Sequence, residues 1–125
     1  MSAEFASSLF FVGRLLLGGA FVFAGLRNLT NIPALTGLLA GRGVPQARPA
    51  LYLGIAWQVV CGILLVGGLW IAWAAVGLIA FLLVATPVFH NFWAYQGIDR
   101  GNRINGWASN VALAGAFLAV IASAP

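Results

Sequence analysis

The side chains that could perform chemistry gather in one segment, FHNFWAYQGIDRGNRINGWASN, which covers residues 89–110. This segment contains the only histidine of the chain, His90, together with Asp99, Arg100 and Arg103. A histidine can transfer a proton, ligate a metal or donate a hydrogen bond to a quinone carbonyl, and an arginine can attract an anion. These residue types are therefore consistent with three kinds of binding site: one for a metal, one for an anion and one for a quinone.

Metal sites and covalent catalysis are excluded within one chain by the residues that the sequence lacks. Cys61 is the only cysteine, and Glu4 is the only acid besides Asp99, so neither a two-histidine haem site nor a cysteine metal site can form. No nucleophile has a neighbouring base, and no glycine-rich phosphate loop precedes a polar helix. We expect no intrinsic cofactor, no metal and no catalysis by the isolated chain.

A pocket for a quinone or a lipid remains open, because such a site needs only an apolar slot and one or two hydrogen-bonding groups. Gln58 lies about 13 Å into its apolar run, on the side of the bundle where His90 and Asn110 are expected. The candidate lining residues are His90, Trp93, Tyr95, Asn110, Gln58, Arg27 and Asn28. The alternative is that these side chains only cap helix ends, bond loop carbonyls and anchor lipid headgroups.

The elements that must position these residues are membrane spans. Hydrophobic residues form 62% and charged residues 6% of the 125 residues, which is too few charges for a water-soluble surface. This length accommodates four helices of roughly 20 residues each. We predict one domain, an all-α integral membrane protein that forms a four-transmembrane-helix bundle with a short interfacial helix in the first loop. The predicted spans are 5–27, 50–69, 70–90 and 104–122, with an interfacial loop at 28–49 and a polar loop at 91–103.

Aromatic and basic residues predict how this bundle lies in the membrane. Trp70 and Trp73 mark one interface, because tryptophan rings prefer the headgroup level. The arginines of the first and third connections are Arg27, Arg42, Arg48, Arg100 and Arg103, whereas the termini and the Gly67–Gly68 turn have none. The positive-inside rule then puts loops 28–49 and 91–103 in the cytoplasm and both termini outside. No basic run with interleaved aromatics exists, so nucleic-acid binding is excluded.

Arg14 interrupts the first apolar run, about 15 Å from its Phe5 end. An arginine in the middle of a bilayer costs at least about 2.5 kcal/mol unless it is paired, hydrated or able to reach the interface. Backbone carbonyls, Gln58, a lipid phosphate or a partner subunit are its expected contacts. The alternative is that it extends toward the terminal interface beside Ser7 and Ser8. We predict a buried charge or a partner contact at this position.

Small residues in the fourth span predict a close helix contact. They recur at three- and four-residue spacing and comprise Ala108, Ala112, Gly115, Ala116 and Ala119. Such residues let helix backbones approach closely where lipid provides no hydrophobic driving force. We expect this face to be packed, and to serve contact with other membrane-protein subunits or self-association.

The chain resembles the DoxX-like family of small bacterial membrane proteins. The resemblance rests on GRLLLGGAFVFAGLRNL, on GVP in the first loop, and on GIAWQVVCGILLVGGL, LVATPVFHNFWAYQG and NVALAGAFLAV. It implies a four-helix bundle in the bacterial inner membrane and a link to redox complexes, including thiosulfate–quinone oxidoreduction. Three positions depart from the family's pattern, because Gln58 replaces a common acid, and Ser109 and Arg27 replace common lysines. These departures weaken the inference that proton chemistry of the family applies to this chain.

Three functions are consistent with these observations. The first is a small accessory or anchoring subunit of a larger redox or energy-converting membrane complex, since the chain has almost no soluble mass and no redox centre. The second is a quinone-interacting oxidoreductase subunit, in which His90, Trp93 and Tyr95 bind the quinone and Arg27, Arg100 or Arg103 attracts an anionic substrate such as thiosulfate. The third is a carrier of a small molecule or lipid. Membrane lipids and other subunits are the expected partners.

Overall fold

Four long helices dominate the structure, a computed structural model that describes all residues from Met1 to Pro125. The helices are α1 (Ala3–Asn28), α2 (Ile32–Gly41), α3 (Ala47–Gly67), α4 (Ile71–Phe89) and α5 (Gly97–Ser123), with short 3₁₀ turns at Leu29–Asn31 and Phe92–Ala94. All except α2 are long and apolar enough to cross a membrane. The predicted all-α fold class with four spans is confirmed.

Local sequence signals explain where these helices begin and end. The side chain of Ser2 accepts a hydrogen bond from the amide of Phe5 and caps α1. Gly68 ends α3 in the left-handed conformation, at φ 75°, which a glycine adopts without strain. The chain then turns directly into α4, so α3 and α4 form a tight hairpin. Pro33 begins α2, where its missing amide hydrogen would have no partner in the helix.

The closest helix crossing joins α1 to α3 through a pair of glycines. A Cβ atom built on Gly18 would lie 2.7 Å from the carbonyl oxygen of Gly62, and one built on Gly62 would lie 2.8 Å from that of Gly18. Both positions must therefore lack a side chain. Gly25 continues this contact one level further along α1, because a Cβ atom there would lie 2.6 Å from the Val59 side chain. Small residues thus bring these backbones together, as membrane helix packing requires.

The main core lies between α1, α3, α4 and α5 and centres on an aromatic layer. The rings of Phe21 and Phe117 meet edge to face with centroids 5.4 Å apart, and Phe81 meets Phe21 at 6.2 Å. Phe117 is fully buried. The helices α1 and α5 approach each other chiefly at this layer, which leaves a cleft between them on either side of it. A smaller core packs Ile32 and Leu39 of the interfacial helix α2 against α3.

The structure differs from the sequence prediction at the start of α5. Residues 97–103, predicted as part of the polar loop 91–103, form the first turns of this helix, which begins at Gly97 rather than at 104. These turns are polar and mostly exposed, and Asp99 lies in the first turn, where a negative charge stabilises the helix amino terminus. Only residues 90–96 connect α4 to α5.

The predicted packing of the small residues in α5 is wrong within the chain. Ala108, Ala112, Gly115 and Ala119 are exposed, and nothing lies within 4 Å of a Cβ atom built on Gly115. The packed face of α5 instead carries Leu113, Phe117 and Val120. Large side chains are needed there because α5 must reach across the cleft to α1.

The glycine crossing yields a test of the α1–α3 contact. Gly18→Ala should destabilise the protein by about 1–3 kcal/mol, because overpacking forces the two backbones apart. Gly19→Ala is the matched control, since nothing lies within 4 Å of its Cβ position and alanine favours a helix. The free energy of unfolding, measured in mixed detergent micelles, distinguishes the variants. Equal stabilities would contradict the close crossing.

Candidate ligand site at the carboxyl end of α4

A cavity of about 420 Å³ lies between the helices on the loop side of the aromatic layer. Four hydrogen-bonding side chains line it: Asn28 of α1, Gln58 of α3, His90 at the end of α4 and Asn110 of α5. The remaining wall is mainly hydrophobic and includes Phe21, Phe81 and Phe89. The structure thus brings together four of the seven residues predicted for the pocket, one from each spanning helix.

Gln58 is the deepest polar group of this cavity. The residue is only 4% exposed, and its Oε1 atom is buried with no hydrogen-bond partner. Leaving such a group unpaired costs about 1–3 kcal/mol. The Cδ atom of Gln58 lies 3.5 Å from the Cβ position of Gly25, at ordinary van der Waals distance. The amide belongs to the cavity wall, and its oxygen has no partner in the chain.

Asn110 is held in one orientation by a buried threonine. Its Nδ2 atom donates a 3.0 Å hydrogen bond to the hydroxyl oxygen of Thr86, which is 5% exposed. The Oδ1 atom of Asn110 is left for a ligand, with the amide orientation assigned from this hydrogen bond. Sequence reasoning missed Thr86, although a polar residue one turn before His90 on the same helix was a usable signal.

His90 ends α4 and lies directly against α5. A Cβ atom built on Gly106 would overlap the imidazole ring, so only glycine at that position admits the ring. The backbone amide of His90 donates to the carbonyl of Thr86, and its own carbonyl accepts a 2.7 Å hydrogen bond from the indole of Trp107. The backbone on both sides of the imidazole is therefore fixed. No pattern in the sequence indicates the role of Gly106.

The last carbonyl groups of α4 are capped by side chains from distant elements. Arg42 donates from Nε to the carbonyl of Val88 at 3.1 Å, and Arg103 donates from Nη1 to that of Phe89 at 2.9 Å. Cations are stabilising at a helix carboxyl terminus, where the helix dipole is negative. Arg103 was predicted to attract an anion, but in the structure its guanidinium is engaged with the protein.

Tyr95 belongs to this arginine cluster and not to the cavity. Nη2 of Arg42 donates to Asn91 Oδ1 at 2.8 Å and to the Tyr95 hydroxyl at 3.3 Å, and the Arg103 guanidinium lies 3.7 Å from the centre of the Tyr95 ring. The hydrogen bond from Arg42 lowers the pKa of the Tyr95 hydroxyl from its usual value, and the charges of Arg103 and Arg42 act in the same direction.

The other predicted site residues lie outside the cavity. Trp93 is 59% exposed, and Arg27 is exposed at the end of α1. Arg100 is also exposed, with its guanidinium 5.6 Å from the centre of the Phe92 ring. The predicted set therefore divides into residues that line the cavity and residues that cap helix ends or are exposed on the loop side. No three His, Cys, Asp or Glu side chains lie close enough to hold a metal.

Arg14 lies at the opposite end of the bundle. Its Nη1 atom donates to the carbonyl of Leu65 at 2.9 Å and lies 3.5 Å from that of Val66, both near the carboxyl end of α3. A Cβ atom on Gly68 would lie 2.8 Å from the same nitrogen. The guanidinium is level with the α3–α4 turn. Backbone carbonyls, one of the expected contacts, are its partners.

The arginine cluster predicts the titration of Tyr95. Arg42→Gln should raise the pKa of Tyr95, because the phenolate loses the cation that stabilises it. Tyrosinate absorbance would be followed against pH in a Tyr52→Phe background, which leaves Tyr95 as the single tyrosine. Arg48→Gln, an exposed arginine at the start of α3, should leave the titration unchanged. Identical curves for the two variants would refute the contact.

Comparison with known proteins agrees with this architecture. The chain is 28% identical over 118 residues to the inner membrane protein YphA of Escherichia coli (strain K12), and the alignment covers 94% of this chain and 84% of that protein. No solved structure matches the chain. Residues 9–91, which run from within α1 to the capped end of α4, match the family described as DoxX. Since this match covers more than half of the sequence, the chain belongs to the DoxX family.

Proposed function

We propose that this DoxX-family membrane protein binds a neutral amphipathic molecule of the quinone or quinol class in the cavity beside His90. The observation that carries the proposal is the Gln58 amide, 4% exposed, with an unpartnered Oε1 atom at the cavity wall. Buried polar groups are almost always hydrogen-bonded, and exceptions concentrate at functional sites. A ligand that donates a hydrogen bond would satisfy this atom.

The composition of the wall favours a neutral ligand. No charged side chain lines the cavity, and its polar groups are three amides and one imidazole. An anion such as thiosulfate would lose its hydration there without meeting a cation, which is strongly unfavourable. Arg42 and Arg103, the nearest arginines on the loop side, do not supply a cation to the cavity, because they donate hydrogen bonds to the end of α4.

The hydrogen-bonding groups fit both redox states of a quinone. A carbonyl oxygen of the oxidised form can accept from the Gln58 amide nitrogen or from a ring N–H of His90. A hydroxyl of the reduced form can donate to Oε1 of Gln58 or Oδ1 of Asn110. The volume of about 420 Å³ lies within the range of small-molecule sites. The open cleft between α1 and α5 gives a molecule dissolved in the lipid a route into the cavity.

Gln58→Leu should separate binding from stability. The ligand-free variant should be more stable by about 1–3 kcal/mol, because an unpaired buried amide is removed. Its affinity for a short-chain quinone such as decylubiquinone should fall about five- to tenfold for the loss of one hydrogen bond. Thermal unfolding and equilibrium binding in nanodiscs measure the two effects. Gln96→Leu, at an exposed position outside the cavity, should change neither.

The two readouts distinguish the alternatives. Unchanged quinone affinity in Gln58→Leu, or in His90→Ala, would contradict quinone binding at this site. Displacement of a co-purified lipid by Gln58→Leu, without any effect on quinone, would instead favour the lipid carrier. A variant less stable than the wild type would show that the amide has a structural partner.

A second function, an accessory subunit of a larger membrane assembly, is favoured by the uncovered small residues of α5. Residues such as Ala112 and Gly115 normally pack against a helix, and nothing in this chain covers them. The two functions are compatible, because the cavity opens on the other side of α5, at Asn110 and Leu113.

Gly115→Phe should abolish the recovery of a stoichiometric partner from native membranes solubilised in mild detergent. Leu16→Phe is the control, because this residue of α1 is 68% exposed and a larger side chain there meets only lipid. Mass spectrometry of the tagged protein would show the partner, either a different subunit or a second copy. Equal recovery with both variants would mean that this face is covered by lipid alone.

We also propose a bacterial inner-membrane location, with the loop side in the cytoplasm and both termini outside. The similarity to an inner membrane protein and the four spans support the location. The exposed arginines Arg27, Arg48 and Arg100 all lie on the loop side, which supports the orientation by the positive-inside rule.

A further inference from the structure

A second cleft, of about 800 Å³, lies between α1 and α5 on the terminal side of the aromatic layer. Its walls are mainly apolar and include Phe10, Ile71 and Val120. The one charged side chain that lines it is that of Arg14, and Ser7, Ser123 and the terminal residues Met1 and Pro125 line the same cleft. An apolar groove that contains one cation is suited to an amphipathic molecule with an anionic headgroup.

No acidic side chain pairs with Arg14. Glu4 lies ten residues away on the same helix, about 15 Å along its axis, and Asp99 belongs to the opposite end of the bundle. The carbonyls of Leu65 and Val66 engage only Nη1. The Nε atom is buried without a partner, and Nη2 makes no hydrogen bond within the chain. The two N–H groups of Nη2 therefore remain available to a ligand in the cleft.

The level of Arg14 in the membrane is that of lipid headgroups. The guanidinium contacts Gly68 in the α3–α4 turn. Trp70 and Trp73 follow this turn and are 75% and 77% exposed, as expected for rings at a membrane interface. A lipid phosphate at this level could approach Arg14 from the cleft while an acyl chain follows the apolar wall beside Val120.

We propose that Arg14 and this cleft bind the phosphate of an anionic phospholipid. Arginine matches phosphate oxygens with a planar set of donors, and such charge-assisted hydrogen bonds are stronger than neutral ones. A zwitterionic lipid brings its own cation next to Arg14, which lowers its affinity. The hydroxyls of Ser7 and Ser123 supply further donors to the same headgroup. This site is separate from the cavity beside His90 and does not depend on its ligand.

Lipid competition tests this proposal. Delipidated protein would be mixed with equal amounts of phosphatidylglycerol and phosphatidylcholine, and the bound lipid counted by native mass spectrometry. The wild type should prefer phosphatidylglycerol, and Arg14→Gln should reduce that preference at least about tenfold, as the loss of one charge-assisted hydrogen bond requires. Arg14→Lys should keep most of the preference. Arg48→Gln, an exposed arginine at the other end of α3, should keep all of it.

A second variant keeps the test decisive if Arg14→Gln does not fold. Ala119→Phe fills the cleft from the exposed face of α5 and leaves the guanidinium intact, and it should also reduce retention of phosphatidylglycerol. An undiminished preference in both variants would overturn the proposal. Full competition by inorganic phosphate at millimolar concentration would also overturn it, because the site would then bind a soluble anion and not a lipid.

Discussion

The hydrocarbon core of a bilayer offers no hydrogen bonds, so each polar group within that core must find its partner in the protein. The carboxyl end of α4 shows how strongly this constraint shapes the chain. Its carbonyls at Val88 and Phe89 receive donors from Arg42 and Arg103, and the following carbonyl, of His90, receives the Trp107 indole. These contacts join α2 and α5 to the end of α4. The position of His90, and with it the rim of the cavity, depends on them.

Against this constraint, the unpaired amide of Gln58 is informative. Other polar atoms of the bundle do have a neighbour, as Asn110 Nδ2 has the Thr86 hydroxyl and Arg14 Nη1 has the carbonyl of Leu65. A leucine of similar size would fill the position of Gln58 without any desolvation penalty. The amide is therefore a stability cost that a bound ligand would offset.

The sequence predicted the spans and the convergence of Asn28, Gln58, His90 and Asn110, because helix rise fixes depth and span order fixes the side of the membrane. It did not predict the roles of Gly25 and Gly106, whose function is to leave space and so has no chemical signature.

Other features depended on relative helix positions that periodicity does not determine. The short α3 ends beside the middle of α1, which puts Arg14 against the α3–α4 turn. The rotation of α5 about its axis turned Phe117 inward and the small residues outward. Trp93 and Tyr95 were correctly placed near the loop, but their side chains serve the interface and the arginine cluster.

The aromatic layer of Phe21 and Phe117 has an electrical consequence. Cavities enter the bundle from both halves of the bilayer, and this layer is what separates them. A continuous chain of water molecules through the cleft between α1 and α5 would conduct protons and dissipate the ion gradient that an energised membrane maintains. Apolar constrictions exclude water and ions even where they are short. The two phenylalanines thus form an apolar ring contact between the two cavities, where a continuous chain of water would have to break.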